Sequence, residues 1–153
     1  MVDKLQMEKH PEGGYYKETY RARGKFSTPS GERNYSTAIY YLLPAGSKSN
    51  LHRIKSDEIW HFYLGDPMTL AQIYKDGNLK LHTLGSNLEK GEKLQHMVPG
   101  DCWFGGFPNK DSEYSLVGCT VSPGFDFADF ELGQKEKLLK EYPQHKKLIE
   151  KLT

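Results

Sequence analysis

The residues best suited to chemistry lie in one short segment, where His52 precedes Glu58 by six residues between Gly46 and Gly65. An imidazole and a carboxylate can move a proton on a bound molecule, hold that molecule by hydrogen bonds, or ligate a metal ion. In apolar, aromatic surroundings the pKa of Glu58 tends to rise, and His52 would then serve as the base. We therefore predict His52 and Glu58 as the catalytic or ligand-holding pair.

The alternation of a β-strand predicts which neighbours share the pocket with Glu58. One strand face carries Glu58, Trp60 and Phe62, and the other carries Ile59, His61 and Tyr63. If Glu58 faces the interior, His61 faces outward unless a local bulge reverses the assignment. A second aromatic pair follows a Pro-Gly turn, and at least one of its rings should face the pocket. The predicted ligand-binding residues are Trp60, Phe62, Trp103, Phe104 and, as a weaker candidate, His61.

The elements that position these residues are mostly short strands separated by Pro, Gly, Asn and Asp turns. The predicted strands are Tyr15–Tyr20, Ser36–Leu43, Glu58–Leu64, Thr69–Tyr74, Leu79–Leu84, Leu94–Val98, Cys102–Phe104 and Ser115–Val121. The trio Asp76-Gly77-Asn78 predicts a hairpin, since those residues tolerate positive φ. Phe125 and Phe127, at a spacing of two, predict one more strand. A short N-terminal helix is predicted over residues 2–9.

The C-terminal part changes character, because Lys, Glu and Leu recur at helical spacing. Two helices are predicted, over residues 134–142 and 144–152, broken at Pro143. We expect one domain spanning 1–153, with a β core over about 10–130 and a helical tail over about 131–153. Strands at this spacing indicate a sandwich or barrel.

Composition narrows the function classes. The chain has 153 residues, 37% hydrophobic and 27% charged, with a net charge of +1. This balance favours a globular protein and gives no support for nucleic acid or an anionic membrane as a partner. Two cysteines, Cys102 and Cys119, are too few for a disulfide framework. With no apolar leader at the N-terminus, a cytoplasmic location is expected.

The segment around His52 resembles the first cupin motif, in which two histidines and a glutamate bind a divalent metal inside a β-barrel. His52 and Glu58 occupy the first-histidine and glutamate positions, whereas Ile54 stands at the second histidine. The second motif resembles residues 98–105, with Phe104 or a neighbour at the third histidine and Asp101 at a glycine position. Since His plus Glu alone hold a metal weakly, we predict a metal-free pocket. The alternative is a divalent metal completed by His61 or another residue.

Longer segments resemble the cupin-5 family of RmlC-like cupins, long described as a domain of unknown function. The segments that carry the resemblance are His10–Tyr16, Thr37–Leu43, Ser56–Tyr63, Gly65–Pro67 and Leu116–Phe125. The resemblance covers about residues 7–132. It implies an all-β fold, the RmlC-like jelly-roll barrel, with an interior pocket and a homodimeric assembly.

Three functions remain open. The chain is expected to bind a small molecule, such as a sugar derivative or a base-like ligand, in an aromatic-walled pocket. An alternative is a metal-independent epimerase or isomerase of sugar derivatives that uses His52 and Glu58. A metal-dependent dioxygenase or related enzyme is the third. We expect the strand face that carries Ile59, His61 and Tyr63 to form a dimer interface. The alternative is that the C-terminal helices cover this face.

Overall fold

The computed structural model describes residues 1–153 and consists mainly of antiparallel strands. The strands are β1 Glu8–Lys9, β2 Tyr15–Arg21, β3 Lys25–Thr28, β4 Gly31–Asn34, β5 Thr37–Pro44, β6 Ser49–Arg53, β7 Asp57–Gly65, β8 Met68–Ile73, β9 Leu79–Leu84, β10 Gln95–Val98, β11 Trp103–Pro108, β12 Tyr114–Ser122 and β13 Glu131–Leu132. The helices are α1 Val2–Leu5, α2 Lys135–Glu141 and α3 Lys146–Lys151, with short 3₁₀ turns at Leu88–Lys90, Phe127–Asp129 and Pro143–His145. No helix has the length and apolar character needed to cross a membrane.

Two sheets pack face to face, which confirms the predicted all-β jelly roll. One has six strands in the order β1-β2-β5-β12-β7-β10, and the other has five in the order β13-β6-β11-β8-β9. Inward side chains of both sheets form the main core, because alternate residues of each strand point to the same face. The buried members include Tyr41, Leu43, Trp60, Leu70 and Phe104.

The outer face of the five-stranded sheet is also buried, since α2 and α3 lie across it. Leu51, Ile73 and Trp103 pack there against Leu138 and Ile149. The two predicted C-terminal helices and their break at Pro143 are confirmed. The tail is fixed by its backbone as well, because the amide of Leu51 donates to the carbonyl oxygen of Leu152 at 2.8 Å.

Turn chemistry accounts for several connections. The predicted hairpin at Asp76–Asn78 joins β8 to β9, which pair in antiparallel register along their length. At the second cupin-like turn, Asp101 adopts φ 62°, the left-handed conformation that a glycine would adopt more readily. Asp is one of the few residues that tolerate this conformation. The turn before β11 therefore keeps its geometry without the glycine.

The structure corrects two sequence predictions and adds a strand at the site that the sequence did not predict. Phe125 and Phe127 do not form a strand, because Asp126 accepts a hydrogen bond from the amide of Ala128 and starts a 3₁₀ turn. The N-terminal helix ends at Leu5 instead of Lys9, and Gln6 closes it in a left-handed conformation. The strand β6, which carries His52, was not predicted, because its polar sequence Ser-Asn-Leu-His-Arg lacks a clean hydrophobic alternation.

Candidate functional site

A cavity of about 300 Å³ opens between the two sheets. Its main wall is one face of the six-stranded sheet, formed by every second residue of adjacent strands, as the pleat requires. The wall residues are Tyr16 and Glu18 from β2, Thr37, Ile39 and Tyr41 from β5, Glu58 from β7, and Cys119 and Val121 from β12. His52 from β6 faces them from the other sheet.

The loop between β1 and β2 contributes Glu12 to the cavity. Gly13 and Gly14 follow it with φ of 111° and 71°, values that side-chain-bearing residues rarely adopt. A Cβ at Gly13 would collide with the carbonyl oxygen of Lys48, and one at Gly14 would press on that of Leu42. The two glycines thus let the loop lie against β5 and the start of β6, and the Glu12 side chain enters the barrel.

A bulge in β6 directs two polar side chains toward Glu12. Phe104 pairs with His52 and Gly106 with Ser49, so three steps along β6 oppose two steps along β11. Residues three apart would face opposite ways in a regular strand, but here Ser49 and His52 both contact the same carboxylate. The Ser49 hydroxyl donates to Glu12 Oε1 at 2.8 Å, and His52 Nε2 lies 2.9 Å from Glu12 Oε2.

His52 and Glu12 form a buried ion pair. Burial alone would raise the pKa of Glu12, but the charge and hydrogen bond of His52, with help from His10 and Ser49, lower it to about 2. Burial likewise opposes the charged form of His52, yet the Glu12 carboxylate outweighs it and raises the pKa of His52. The other ring nitrogen, Nδ1, lies 2.7 Å from the carbonyl oxygen of Asn50. Since both neighbours are acceptors, both ring nitrogens must donate, and His52 is an imidazolium.

Glu58 lies in the same cavity without a counter-ion of its own. Glu58 is 7% exposed, and its carboxyl group takes part in no ion pair. Burial raises the pKa of Glu58 to about 7, with His52, Cys119 and Trp60 moderating the rise and Glu12 adding to it. The Cys119 thiol and the Trp60 indole lie beside the carboxyl, and the indole N–H has no other partner. Glu58 is therefore half-ionised near neutral pH.

Aromatic rings close the cavity toward its opening. Phe125 and Phe127 meet edge to face at 4.9 Å between ring centroids, and Phe127 is 51% exposed. A bidentate ion pair between Arg33 and Asp129, at 2.7 and 2.8 Å, fixes the segment that carries them. Arg21 also binds this segment, since its Nη1 donates to the carbonyl oxygen of Phe125 at 3.1 Å.

The predicted catalytic pair is brought together, but the predicted ligand-binding aromatics lie outside the cavity lining. Trp60 shares the inner face with Glu58 as expected, yet it fills the core against Tyr41 and Phe104, with centroids at 5.7 and 6.2 Å. Phe62 packs against the same core. Phe104 faces inward and its ring lies 4.1 Å from that of His52, behind the imidazole.

Trp103 and His61 face away from the cavity. Alternation in β11 turns Trp103 to the opposite face from Phe104, where it packs under the C-terminal helices. His61 points outward from β7, and its Nε2 lies 3.0 Å from the Thr120 hydroxyl. A bulge does occur in β7, but beyond His61, because Val117 pairs with Phe62 and Leu116 with Leu64. The reversal considered for His61 is therefore absent.

Sequence reasoning missed most of the cavity wall. Glu12 could have been found from the paired glycines that follow it, which indicate a tight, close-packed loop carrying a buried acid. The alternation of Thr37, Ile39 and Tyr41 marks one wall of the barrel interior. For Phe127 the sequence carries no comparable signal, because its position depends on the distant Arg33–Asp129 ion pair.

Comparisons with known proteins identify the family of this chain. The family model described as "Cupin superfamily (DUF985)" matches residues 1–133. The chain belongs to this cupin family. An uncharacterized protein of Saccharomyces cerevisiae, YML079W, is 32% identical over 154 residues, covering 92% of this chain and 77% of the yeast protein. Protein SO0799 from Shewanella oneidensis is 45% identical, with a TM-score of 0.92 and coverage of 99% and 94% of the two chains.

A more distant likeness extends to Bacillus subtilis oxalate decarboxylase, at a TM-score of 0.61 and 16% identity. It covers 95% of this cupin and 36% of the decarboxylase, and it concerns the fold alone. The decarboxylase has been studied for its Mn(II) centers. In this cupin, Ile54 and Phe104 offer no donor, and both nitrogens of His52 are already bound to acceptors.

The donor set at this position therefore does not fit a divalent metal. No group of three or more His, Cys, Asp and Glu side chains in the chain is arranged to hold a metal ion. His61, considered from the sequence as a supplementary ligand, lies on the outer face and cannot complete the set.

Proposed function

We propose that this cupin binds a small polar molecule, such as a sugar derivative or a base-like heterocycle, in the cavity around Glu58. The observation that carries the proposal is the Glu58 carboxyl, which is buried, has no protein counter-ion and faces open space. A buried ionisable group without a partner is costly unless a ligand supplies one. The cavity volume, about 300 Å³, is at the lower end of the range for small-molecule sites.

Binding can be tested by filling the cavity. Val121→Phe introduces a ring into the cavity wall, whereas Leu81→Phe places the same ring at a residue that is 58% exposed on another strand. We expect a fragment screen by ligand-observed NMR to find polar ligands for the wild type and Leu81→Phe but not for Val121→Phe. Ligands that bind Val121→Phe as well as they bind the wild type would place binding outside the cavity.

A second candidate, a metal-independent isomerase or epimerase of sugar derivatives, is favoured by the opposite ionisation preferences of Glu58 and His52. A carboxyl with a pKa of about 7 is suited to remove a proton at neutral pH, and the fixed positive charge of His52 would stabilise negative charge that develops on the substrate. From the sequence alone, His52 is the predicted base. Because both nitrogens of His52 are bound to acceptors, we assign that role to Glu58 instead.

Glu58→Gln separates the two candidates. If the cupin is an isomerase, the exchange of a substrate C–H for deuterium from solvent should fall by about 10²–10⁴-fold while binding persists. If the cupin only binds, no exchange occurs in either protein and the variant changes affinity alone. Elemental analysis of untagged protein should find metal well below one atom per chain, and a full equivalent would contradict metal independence.

We also propose that two copies associate through the outer face of the six-stranded sheet. Ile59 and Tyr63 there are 38% and 47% exposed, and the C-terminal helices cover the other sheet, so the alternative cover is absent. Light scattering at micromolar concentration tests this, and a monomer mass would contradict it. A cytoplasmic location is proposed as well, supported by two buried, unpaired cysteines.

A further inference from the structure

The charges that line the cavity are unbalanced toward the negative. Four carboxylates line it, and only two cations accompany them, which leaves two net negative charges when Glu58 is ionised and one when it is protonated. The carboxylates are Glu12, Glu18, Glu58 and Asp126, and the cations are Arg21 and His52. His10 also lines the cavity but is neutral, because burial lowers its pKa and its Nδ1 accepts the amide of Glu12.

Neither cation is free to bind an anion. Both ring nitrogens of His52 already donate to Glu12 and Asn50. The Nε and Nη2 of Arg21 donate to Glu18 at 2.9 and 2.8 Å, and its Nη1 donates to Asn34 and Phe125. A phosphate or carboxylate that enters the cavity would lose its hydrogen bonds to water. It would find only occupied donors and unpaired acceptors there, so its binding would be unfavourable.

Acceptors, in contrast, are left unused. The Glu58 carboxyl has no ion-pair partner and only Cys119 and Trp60 beside it, and Asp126 uses one carboxylate oxygen, Oδ1, for the amide of Ala128. Four aromatic rings line the same space, those of Tyr16, Tyr41, Phe125 and Phe127. The faces of such rings attract cations, and edge-to-face pairs such as Phe125 with Phe127 occur in sites that enclose an ammonium group.

We propose that the ligand of this cavity is a small organic cation, whose ammonium group lies against Glu58 and the aromatic wall. The inference rests on the proposed binding function and names the charge of its ligand. The counter-ion that Glu58 lacks in the protein is then supplied by the ligand. A buried carboxylate and aromatic faces together make a stronger cation site than either alone, because both act in a space with little water.

Three probes of nearly the same shape test the charge directly. Choline carries a permanent positive charge, 3,3-dimethyl-1-butanol is its neutral analogue, and 3,3-dimethylbutanoate is a comparable anion. We expect choline to shift the backbone NMR signals of Cys119 and Val121 with an affinity at least about tenfold higher than that of the alcohol at pH 8. The anion should produce no shift.

The preference should depend on Glu58. In Glu58→Gln the preference for choline over the alcohol should fall to the few-fold that the aromatic rings supply. Glu89→Gln, an exposed glutamate in the Leu88–Lys90 turn, should keep the full wild-type preference. Choline carries no titratable group, so its preference should diminish below pH 6, where Glu58 is protonated. The titratable groups facing Glu58 are His52 from β6, Glu12 from the loop before β2 and Cys119 from β12.

Equal binding of choline and the alcohol to the wild type, or tighter binding of the anion, would overturn the inference and leave the binding function standing. No binding of any probe would overturn it too, and the fragment screen with Val121→Phe would then decide the binding function separately. A choline preference that persists undiminished in Glu58→Gln would also contradict the proposed role of this carboxylate.

Discussion

The two faces of the five-stranded sheet carry opposite chemistry. On the inner face, His52 of β6 joins Glu12 and looks across open space at Glu58. On the outer face, Leu51 of the same strand and Trp103 of β11 are sealed under α2 and α3 by apolar contacts. The adjacent residues Leu51 and His52 therefore have different roles. The inner face carries charged groups that line a cavity, and the outer face packs against the helices. The difference predicts that variants on the inner face change pH behaviour and binding, whereas variants on the outer face change stability alone.

The largest expected effect is the loss of the carboxylate that pairs with His52. Glu12→Gln leaves a buried imidazolium without its partner, and breaking such a pair costs about 3–5 kcal/mol of unfolding free energy. The loss should shrink at alkaline pH, where His52 can release its proton. Urea unfolding at pH 6 and pH 9 measures both quantities.

The matched control is Glu131→Gln, which breaks the partly exposed pair with Arg53 at 2.7 Å. Pairs of this kind contribute about 1 kcal/mol or less. If the two variants lose equal stability, the inner pair is not the coupled, buried ion pair described above.

On the outer face, Leu138→Ala should destabilise the protein by about 2–5 kcal/mol through the cavity left under α2. Leu138 is 1% exposed, and its contacts are apolar, so the loss should be the same at pH 6 and pH 9. Leu88→Ala, at a residue 62% exposed, should change stability by about 0.5 kcal/mol or less. A loss in Leu138→Ala that varies strongly with pH would show that the two faces are energetically connected.

The contrast between the two faces also explains which parts of the fold could be predicted from the sequence. Turn residues and hydrophobic alternation sufficed for the two C-terminal helices and for eight strands of the jelly roll, but not for β1, β3, β4, β6 and β13. Alternation also placed Glu58 and Trp60 on one shared face, and the resemblance to cupins indicated that this face points inward. It could not say which of Trp103 and Phe104 faces inward, because both are large and apolar and the sheet is buried on both sides.

The site was harder to predict, for a different reason. Ser49 and His52 reach the same carboxylate only because of a bulge in β6, and a bulge breaks the period-two rule on which the sequence argument depends. Glu12 comes from a loop 40 residues before His52 in the chain. The paired glycines after it indicate a tight loop, but only the folded chain shows that Gly13 and Gly14 pack against other strands and direct Glu12 into the barrel.

A third expectation concerns the cost of keeping Glu58 buried. Its pKa rises on folding from 4.5 to about 7, so the folded protein holds this proton more tightly than the unfolded chain. The favourable contribution is complete below pH 4.5 and is lost as the pH rises through 7. Glu58→Gln should therefore be more stable than the wild type at pH 8, by at most about 3 kcal/mol, with the difference vanishing near pH 4.

Urea unfolding of both proteins across this pH range makes the comparison, with Glu89→Gln as the exposed control that should follow the wild type. His52 also loses its proton at high pH and so contributes to the pH dependence of unfolding. Because His52 is present in both Glu58→Gln and the wild type, most of this contribution cancels in the difference between them. A difference that grows toward low pH would contradict the raised pKa of Glu58.

The smallest expected effects concern two aromatic residues, Phe127 at the cavity opening and Trp103 under the C-terminal helices. Phe127→Ala removes a ring at the cavity opening, where a cation–π contact with a partly exposed ring contributes about 0.5–1 kcal/mol, so choline affinity should fall about two- to fivefold. Trp103→Phe alters the ring under Arg53, whose guanidinium lies 4.5 Å from the indole centroid, and should lower stability without changing choline affinity. An equal change of affinity in both variants would mean that the helical tail and the cavity opening are energetically coupled. Trp103 does not line the cavity, so it could affect the ligand only through the five-stranded sheet. An unchanged affinity in Phe127→Ala would leave Glu58 and the deeper rings as the whole of the binding site.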